Sequence, residues 1–223
     1  MKYKPLLRLL LLVPILGCAA YGYAAEGESA CGSLANHYGP FDYRSAPQHV
    51  KELVERPHFP PKVENLIAGQ NTITPGGDIA YTLNVFPNHH RALMAIIKLA
   101  KKEKTNRPRE LGYSVECRFE RAERFVPDDG MVKLLHGVYL LQTKNHQEAI
   151  GKLEEALALS GENANVFYNL GLAYFELKDY DKALSSAHGA YRLGHPLPGL
   201  RNKLNSVGKW REPTPESNEP SQK

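Results

Sequence analysis

From Met131 to Leu159 the apolar residues recur three and four positions apart, the spacing of one face of a helix. Leu134, Leu135, Val138 and Leu141 make one stripe. Ala149, Ile150, Leu153, Ala156 and Leu157 make a second, with Lys144-Asn145-His146 between them as a turn. Gly161 follows, where a left-handed residue most easily closes a helix. The plan then repeats. Phe167, Leu170, Gly171, Ala173 and Tyr174 predict a helix, Lys178-Asp179-Tyr180 a turn, and Ala183, Leu184, Ala187, Ala190 and Leu193 a second helix. The pattern predicts an all-α chain built on two copies of one helical hairpin.

The copies are in phase. Gly137 and Gly171, Ala149 and Ala183, and Ala156 and Ala190 are all separated by the same interval of thirty-four positions, the period of a stacked helix–turn–helix array. These small residues let neighbouring helices approach; a larger one would overpack the contact at a cost of about 1–3 kcal/mol. The phase runs backwards to Pro127, one period before Gly161, and then to Pro87, a period and six positions before Pro127. A third unit is therefore expected over residues 88–127, with its six extra residues in the turn at Lys101–Pro108. Residues 57–87 fit a fourth, decayed unit, with helices at Pro61–Ala68 and Asp78–Phe86 and Pro75-Gly76-Gly77 between them. Pro47–Glu55 reads as a short helix, and Cys31–Arg44 lacks periodicity. At the other end His195-Pro196-Leu197-Pro198 stops the last hairpin. Leu200, Leu204 and Val207 then mark an amphipathic capping helix within 196–210, and the polar residues 211–223 read as a disordered tail.

The run Asn165-Val166-Phe167-Tyr168-Asn169-Leu170-Gly171-Leu172-Ala173-Tyr174, followed by Asp179-Tyr180-Asp181-Lys182-Ala183-Leu184, closely resembles a tetratricopeptide repeat (TPR). The unit at 128–161 keeps Gly137, Ala149, Leu153 and Ala156, with Lys133 where an aromatic is usual and His136 in place of a leucine. The resemblance implies a short TPR-type solenoid with a C-terminal capping helix and an irregular N-terminal segment. It also implies a surface that holds a protein or peptide, with no enzymatic activity and no cofactor. In such folds the first helix of each hairpin lines the concave face. The implied groove residues are Arg91, Met94, Lys98, Lys101 and Lys102 in the early unit, and Met131, Leu134, Val138, Leu141 and Gln142 in the middle one. In the last unit they are Asn165, Tyr168, Asn169, Leu172 and Phe175. That groove would be apolar and aromatic at one end and basic at the other, suiting an extended peptide of matching character. The alternative is that Tyr168 and Phe175 only satisfy the repeat pattern while the lysines form a solvated face. A clamp for a partner's terminal carboxylate is disfavoured, because Val138 and Leu172 stand where that clamp needs asparagine and Asn169 alone does not suffice.

The first residues change the compartment. Lys2, Lys4 and Arg8 precede the short apolar run Leu9–Leu16 and then small residues, the order of an export signal over 1–25 in a bacterial protein. Cleavage near Gly22-Tyr23-Ala24 would release a periplasmic or secreted protein. Ile15-Leu16-Gly17-Cys18 resembles a lipobox and would instead make an outer-membrane lipoprotein, with membrane contact only through Cys18 and a role in assembling a secretion or pilus system. Losing the leader removes Lys2, Lys4 and Arg8 and no acid, so the net charge of +4 becomes +1, which gives no electrostatic case for nucleic acid. Cys31 and Cys117 then remain as a pair in an oxidising compartment, where a bridge is expected; two buried free thiols are the alternative.

Candidate chemistry is sparse. His89-His90 are adjacent, point about 100° apart on a helix, and cannot easily share an ion. His37, His49 and His58 could join them only if the N-terminal segment folds back, which keeps a small-ligand or metal site there as a lesser alternative. Asp42 and Arg44 would either bind a ligand or pair locally and anchor that segment. No nucleophile–base pair accompanies them.

Overall fold

The computed structural model describes residues 29–213. The leader, Cys18 and residues 214–223 lie outside that range. Ten helices run through the described residues: α1 Gln48–His58, α2 Pro61–Glu64, α3 Pro75–Val85, α4 His90–Glu103, α5 Val115–Phe125, α6 Gly130–Gln142, α7 His146–Ser160, α8 Ala164–Glu176, α9 Tyr180–Arg192 and α10 Gly199–Ser206. Consecutive helices stack into a short helical solenoid. α6 with α7 and α8 with α9 form the two closest hairpins.

Start and stop signals recur in phase. His89, Asp129 and Asn163 cap α4, α6 and α8, each side chain accepting a hydrogen bond from a backbone N–H of the first turn. After each of these helices a lysine takes the left-handed conformation: Lys104 (φ 54°), Lys144 (φ 64°) and Lys178 (φ 64°). The small residues pack as their spacing predicts. Ala149, Ala156, Ala183 and Ala190 are wholly buried. A Cβ on Gly137 would come 2.6 Å from Leu153 Cγ, whereas one on Gly171 would strike Leu200 of α10 before meeting its partner helix α9.

Some expectations need correction. The earliest helix pair is lopsided: α2 is four residues long, and Pro75-Gly76-Gly77 opens α3 instead of forming a turn, with Pro75 at the N1 position where its fixed φ suits a helix. Gly76 is required there, because a Cβ would strike the carbonyl oxygen of Arg109. Val207 falls outside α10 and is exposed. The chain turns at Gly208 (φ 66°) and lays Trp210 against His188 and Tyr191, ring centroids 5.2 and 5.9 Å away.

One seam of the solenoid is ionic. Lys133 and Glu155 pair at 2.6 Å in the positions that, one period on, hold Phe167 packed on Gly189. Likewise His136 Nδ1 lies 2.5 Å from Glu123 Oε1, where the next unit sets Leu170 with Leu157 in its core. Lys133 and Lys152 also reach Glu123 at 2.9 and 2.7 Å. Burial would raise the Glu123 pKa, but His136, Lys152 and Lys133 together hold it at about 2.

The irregular N-terminal segment is tied down twice. Cys31 and Cys117 of α5 form a disulfide. Beside it, the buried Arg121 donates to the carbonyls of Cys31 (3.0 Å) and Ser33 (2.6 Å) and lies 4.4 Å from the Tyr113 ring. The equally buried Arg118 donates to Asn84 Oδ1 and the Leu111 carbonyl, and burial pushes its pKa down to about 9. Neither guanidinium forms an ion pair among the described residues. Further along, Phe41 and Tyr43 pack on Phe86 and cover a small core with Val54 and Val85.

Candidate functional site

The first helices α4, α6 and α8 present equivalent rows, offset by one stretched period and then one ordinary period. The structure treats the implied groove residues unequally. In α4, Arg91 grips Glu64 of α2 through Nε (2.9 Å) and a terminal nitrogen (2.6 Å) and lies over the Phe59 ring at 5.3 Å. It therefore joins two helices of its own chain, contrary to the expectation that it lines an open groove. Met94 is half-buried against the main core. Lys98 and Lys101 are exposed and form no ion pair among the described residues. Lys102 donates to the Leu66 carbonyl at 2.8 Å.

In α6, Leu134 is only 5% exposed. It fills the core shared with Leu153, Val166 and Leu170, so it is not a groove residue. The helix turns it inward because α8 closes over that side. Val138 and Leu141 are half-buried, packing on the core beneath while keeping an open edge. Gln142 ties α6 to α4 through the Ile97 carbonyl at 3.2 Å.

In α8 the expected aromatic end is mostly occupied. Tyr168 stacks on His195 with centroids 3.9 Å apart, and Tyr168, Leu172 and Phe175 all pack around Leu200 and Leu204 of α10. Lys203 of α10 sits 5.0 Å over the Phe175 ring. A capping helix needs an apolar seat, and this face supplies it. Asn169 spends its amide on the Asn165 carbonyl at 2.8 Å. The open part of the row is thus Lys98 and Lys101 on α4 and, on α6, the exposed Met131 with the edges of Val138 and Leu141.

The polar residues near the N-terminus form a clasp. Arg44 pairs with Asp42 (2.8 Å) and Asp128 (3.0 Å). Asn88 donates to Asp42 (2.7 Å) and to Asp129 (3.0 Å), and accepts from the Tyr43 N–H (2.9 Å). The two adjacent histidines diverge, His89 as the cap before α4 and His90 as its first residue: His90 meets Asp129 at 2.8 Å and His89 meets Glu55 at 3.0 Å. His89 Nδ1 accepts from the Ala92 N–H, so Nε2 carries the proton given to Glu55. Burial lowers the His89 pKa. Asp42 and Arg44 accordingly join three chain segments, the anchoring role their sequence allowed. Among the described residues no group of three or more His, Cys, Asp or Glu is placed to hold a metal ion, and no helix is long and apolar enough to cross a membrane.

This clasp gives the protein an acid limit. Arg44 holds Asp42 at about 2, and His89 holds Glu55 at about 2, against ordinary values of 3.8 and 4.5. Glu123 is held equally low. A carboxylate whose folded pKa is depressed stabilises fully above its unfolded pKa and loses that contribution as pH falls through the folded value. Urea midpoints are therefore expected to stay level from about pH 8 to pH 7, to decline below about pH 6.5 as the unfolded chain takes up the proton that the buried His89 resists, and to drop steeply from about pH 4.5 towards pH 2. A midpoint unchanged between about pH 6 and about pH 3 contradicts these linkages.

Sequence reasoning missed two contributors. Asp129 caps α6 and anchors the clasp, and its position one period before the capping Asn163 was a usable signal. Trp210 had none, since the rings it packs against, His188 and Tyr191, lie on α9.

Residues 140–178, from the end of α6 through α8, match the family model described as TPR repeat. No curated protein matches the chain. The match and the all-helical stack support the tetratricopeptide-repeat family, and the architecture is a TPR-like helical solenoid.

Proposed function

We propose that this chain is an exported bacterial scaffold that holds a partner protein or peptide against the concave row of α4 and α6. TPR repeats are protein-interaction modules, and the present one keeps a cationic and apolar strip open while many of its other cations are spent internally. The observation that carries the reading is Lys98 and Lys101, exposed and without carboxylate partners among the described residues, at the row positions equivalent to the half-buried Val138 and Leu141 of the following first helix. By contrast Arg91, Arg124, Lys133, Lys152 and Arg192 of the helices are all paired with carboxylates. The export signal read at residues 1–25 supports a partner in the envelope.

The test is crosslinking in intact bacterial cells with a reagent that does not enter the cytoplasm, comparing wild type with Lys98→Glu, Lys101→Glu. Both positions are exposed, so the variant is expected to fold normally. Recovery of the specific partner is expected to fall about tenfold, the effect of roughly 1.4 kcal/mol. Equal recovery from both proteins removes the strip as the binding surface. Tyr168 and Phe175 are poor choices for this test, because truncating them unseats α10.

A further inference from the structure

The connection between α4 and α5 is the most unusual loop of the array. Residues 104–114 join them, whereas residues 143–145 and 177–179 suffice in the next two hairpins. The long connection bows away and leaves a cleft of about 400 Å³ between itself and the C-terminal ends of α4 and α6. Lys101, Lys104, Asn106, Gln142 and Thr143 line it, and Tyr139 forms its floor. Lys101 belongs to both this cleft and the open strip, so the two are continuous.

The charge in this region is unbalanced. The C-termini of α4 and α6 each present about half a negative charge. Glu116 lies behind the floor, its carboxylate taking the Tyr139 hydroxyl at 2.5 Å. Glu103 is turned to the other side, accepting from the Arg109 N–H at 2.9 Å. Against these stand Lys98, Lys101 and Lys104, none ion-paired among the described residues. Glu64 also acts on Lys98 but is shared with Arg91, so three ammonium groups still exceed what it and the two helix ends neutralise. They are also strung out: Lys98 and Lys101 are three residues apart on α4, about 4.5 Å along its axis, and Lys104 lies past the helix end in the left-handed conformation. One carboxylate cannot reach all three.

Resting on the scaffold reading above, we propose that the cleft is an acidic anchor site: it takes a run of Asp or Glu side chains in the partner, laid along Lys98, Lys101 and Lys104, while flanking apolar residues contact Val138 and Leu141. The Tyr139 floor excludes water from one side of the contacts made by Lys101 and Lys104. The long connection is what opens this space.

The test is fluorescence polarisation with three labelled peptides that share a leading run of leucines. One continues as glutamates with an amidated end, one as glutamines with an amidated end, and one as glutamines with a free carboxylate. The glutamate peptide is expected to bind about tenfold more tightly than either glutamine peptide, and to weaken as salt shortens the screening length. Lys101→Glu, Lys104→Glu should weaken it about tenfold or more. Lys144→Glu, Lys178→Glu, the same turn positions in the other hairpins, should leave it within about twofold. Several outcomes overturn the proposal: equal binding of glutamate and glutamine forms, a free carboxylate that matches the glutamates, equal losses in both variants, or no binding of the glutamate peptide at about 1 mM. Equal binding of all three peptides removes the acidic anchor and leaves the scaffold reading intact. Loss of the crosslinked partner's dependence on the strip removes that reading instead.

Discussion

A Cys31→Ser, Cys117→Ser variant is expected to lose about 4–5 kcal/mol of stability, a fall of roughly 10–15 °C in the thermal midpoint for a domain of this size. The bridge spans 86 positions, and a loop that long removes much entropy from the unfolded chain. The loss is not offset nearby. Without the bridge, this stretch is held to α5 by Arg121 and Arg124 on the carbonyls of Cys31, Gly32 and Ser33 and by Ser29 on Glu120, among residues with no regular structure of their own. Thermal unfolding followed by circular dichroism, on the oxidised protein, the reduced protein and the double variant, measures it. The reduced wild type should match the variant. A loss under about 1 kcal/mol in both means that the unfolded chain is already compacted around this loop.

Asp78→Ala is expected to cost about 3–5 kcal/mol. Asp78 is wholly buried. Its carboxylate accepts from the N–H groups of Gln70 (2.7 Å), Asn71 (3.1 Å) and Thr72 (3.3 Å) and from the Thr72 hydroxyl (2.7 Å), and it meets His58 Nδ1 at 3.0 Å. Burial alone would raise its pKa, but the donors from Gln70, Thr72, His58 and Asn71 outweigh it and keep the group ionised. Alanine strands all of these donors at once. Asp78→Asn should fall between the two, since its NH₂ would face N–H donors. The urea midpoint of the three proteins decides it, and an alanine variant within about 1 kcal/mol of wild type is the contrary result. The effect should also reach the cleft. Asp78 organises residues 70–72, and Thr74 next to them donates to Glu110 of the long connection through N–H and hydroxyl, both at 2.6 Å.

The helices were legible in the sequence because their signals are local. Apolar spacing, caps and turn residues act within a few positions, and the repeat phase merely restates them. The Cys31–Cys117 bridge was legible for a different reason: the residues left few other pairings. What lies over each helix face was not legible. Leu134 and Tyr168 hold equivalent positions in the row, yet α8 buries the first and α10 half-covers the second, and spacing within one helix carries no record of its neighbour. Arg91 reads as an open groove cation until Glu64 of α2 stands opposite it. The ionic seam lies between these extremes. Lys133 opposite Glu155 stands out once both are compared with Phe167 and Gly189 one period later, a paired exchange written in a single chain.

That seam gives the array a fixed order of assembly. Repeats of similar shape can dock on the wrong neighbour, or on the equivalent unit of a second chain, whenever their contacting faces are interchangeable. Here they are not. If α8 took the place of α6 beside α5, Leu170 would replace His136 and Phe167 would replace Lys133, leaving the half-buried Glu123 with Lys152 alone at most. Stranding a half-buried carboxylate in this way costs several kcal/mol, which offsets what the misplaced leucine and phenylalanine would return. The exchange of hairpins between copies of this protein is thereby discouraged at a single junction, and the basic strip of α4 is kept next to the apolar edge of α6.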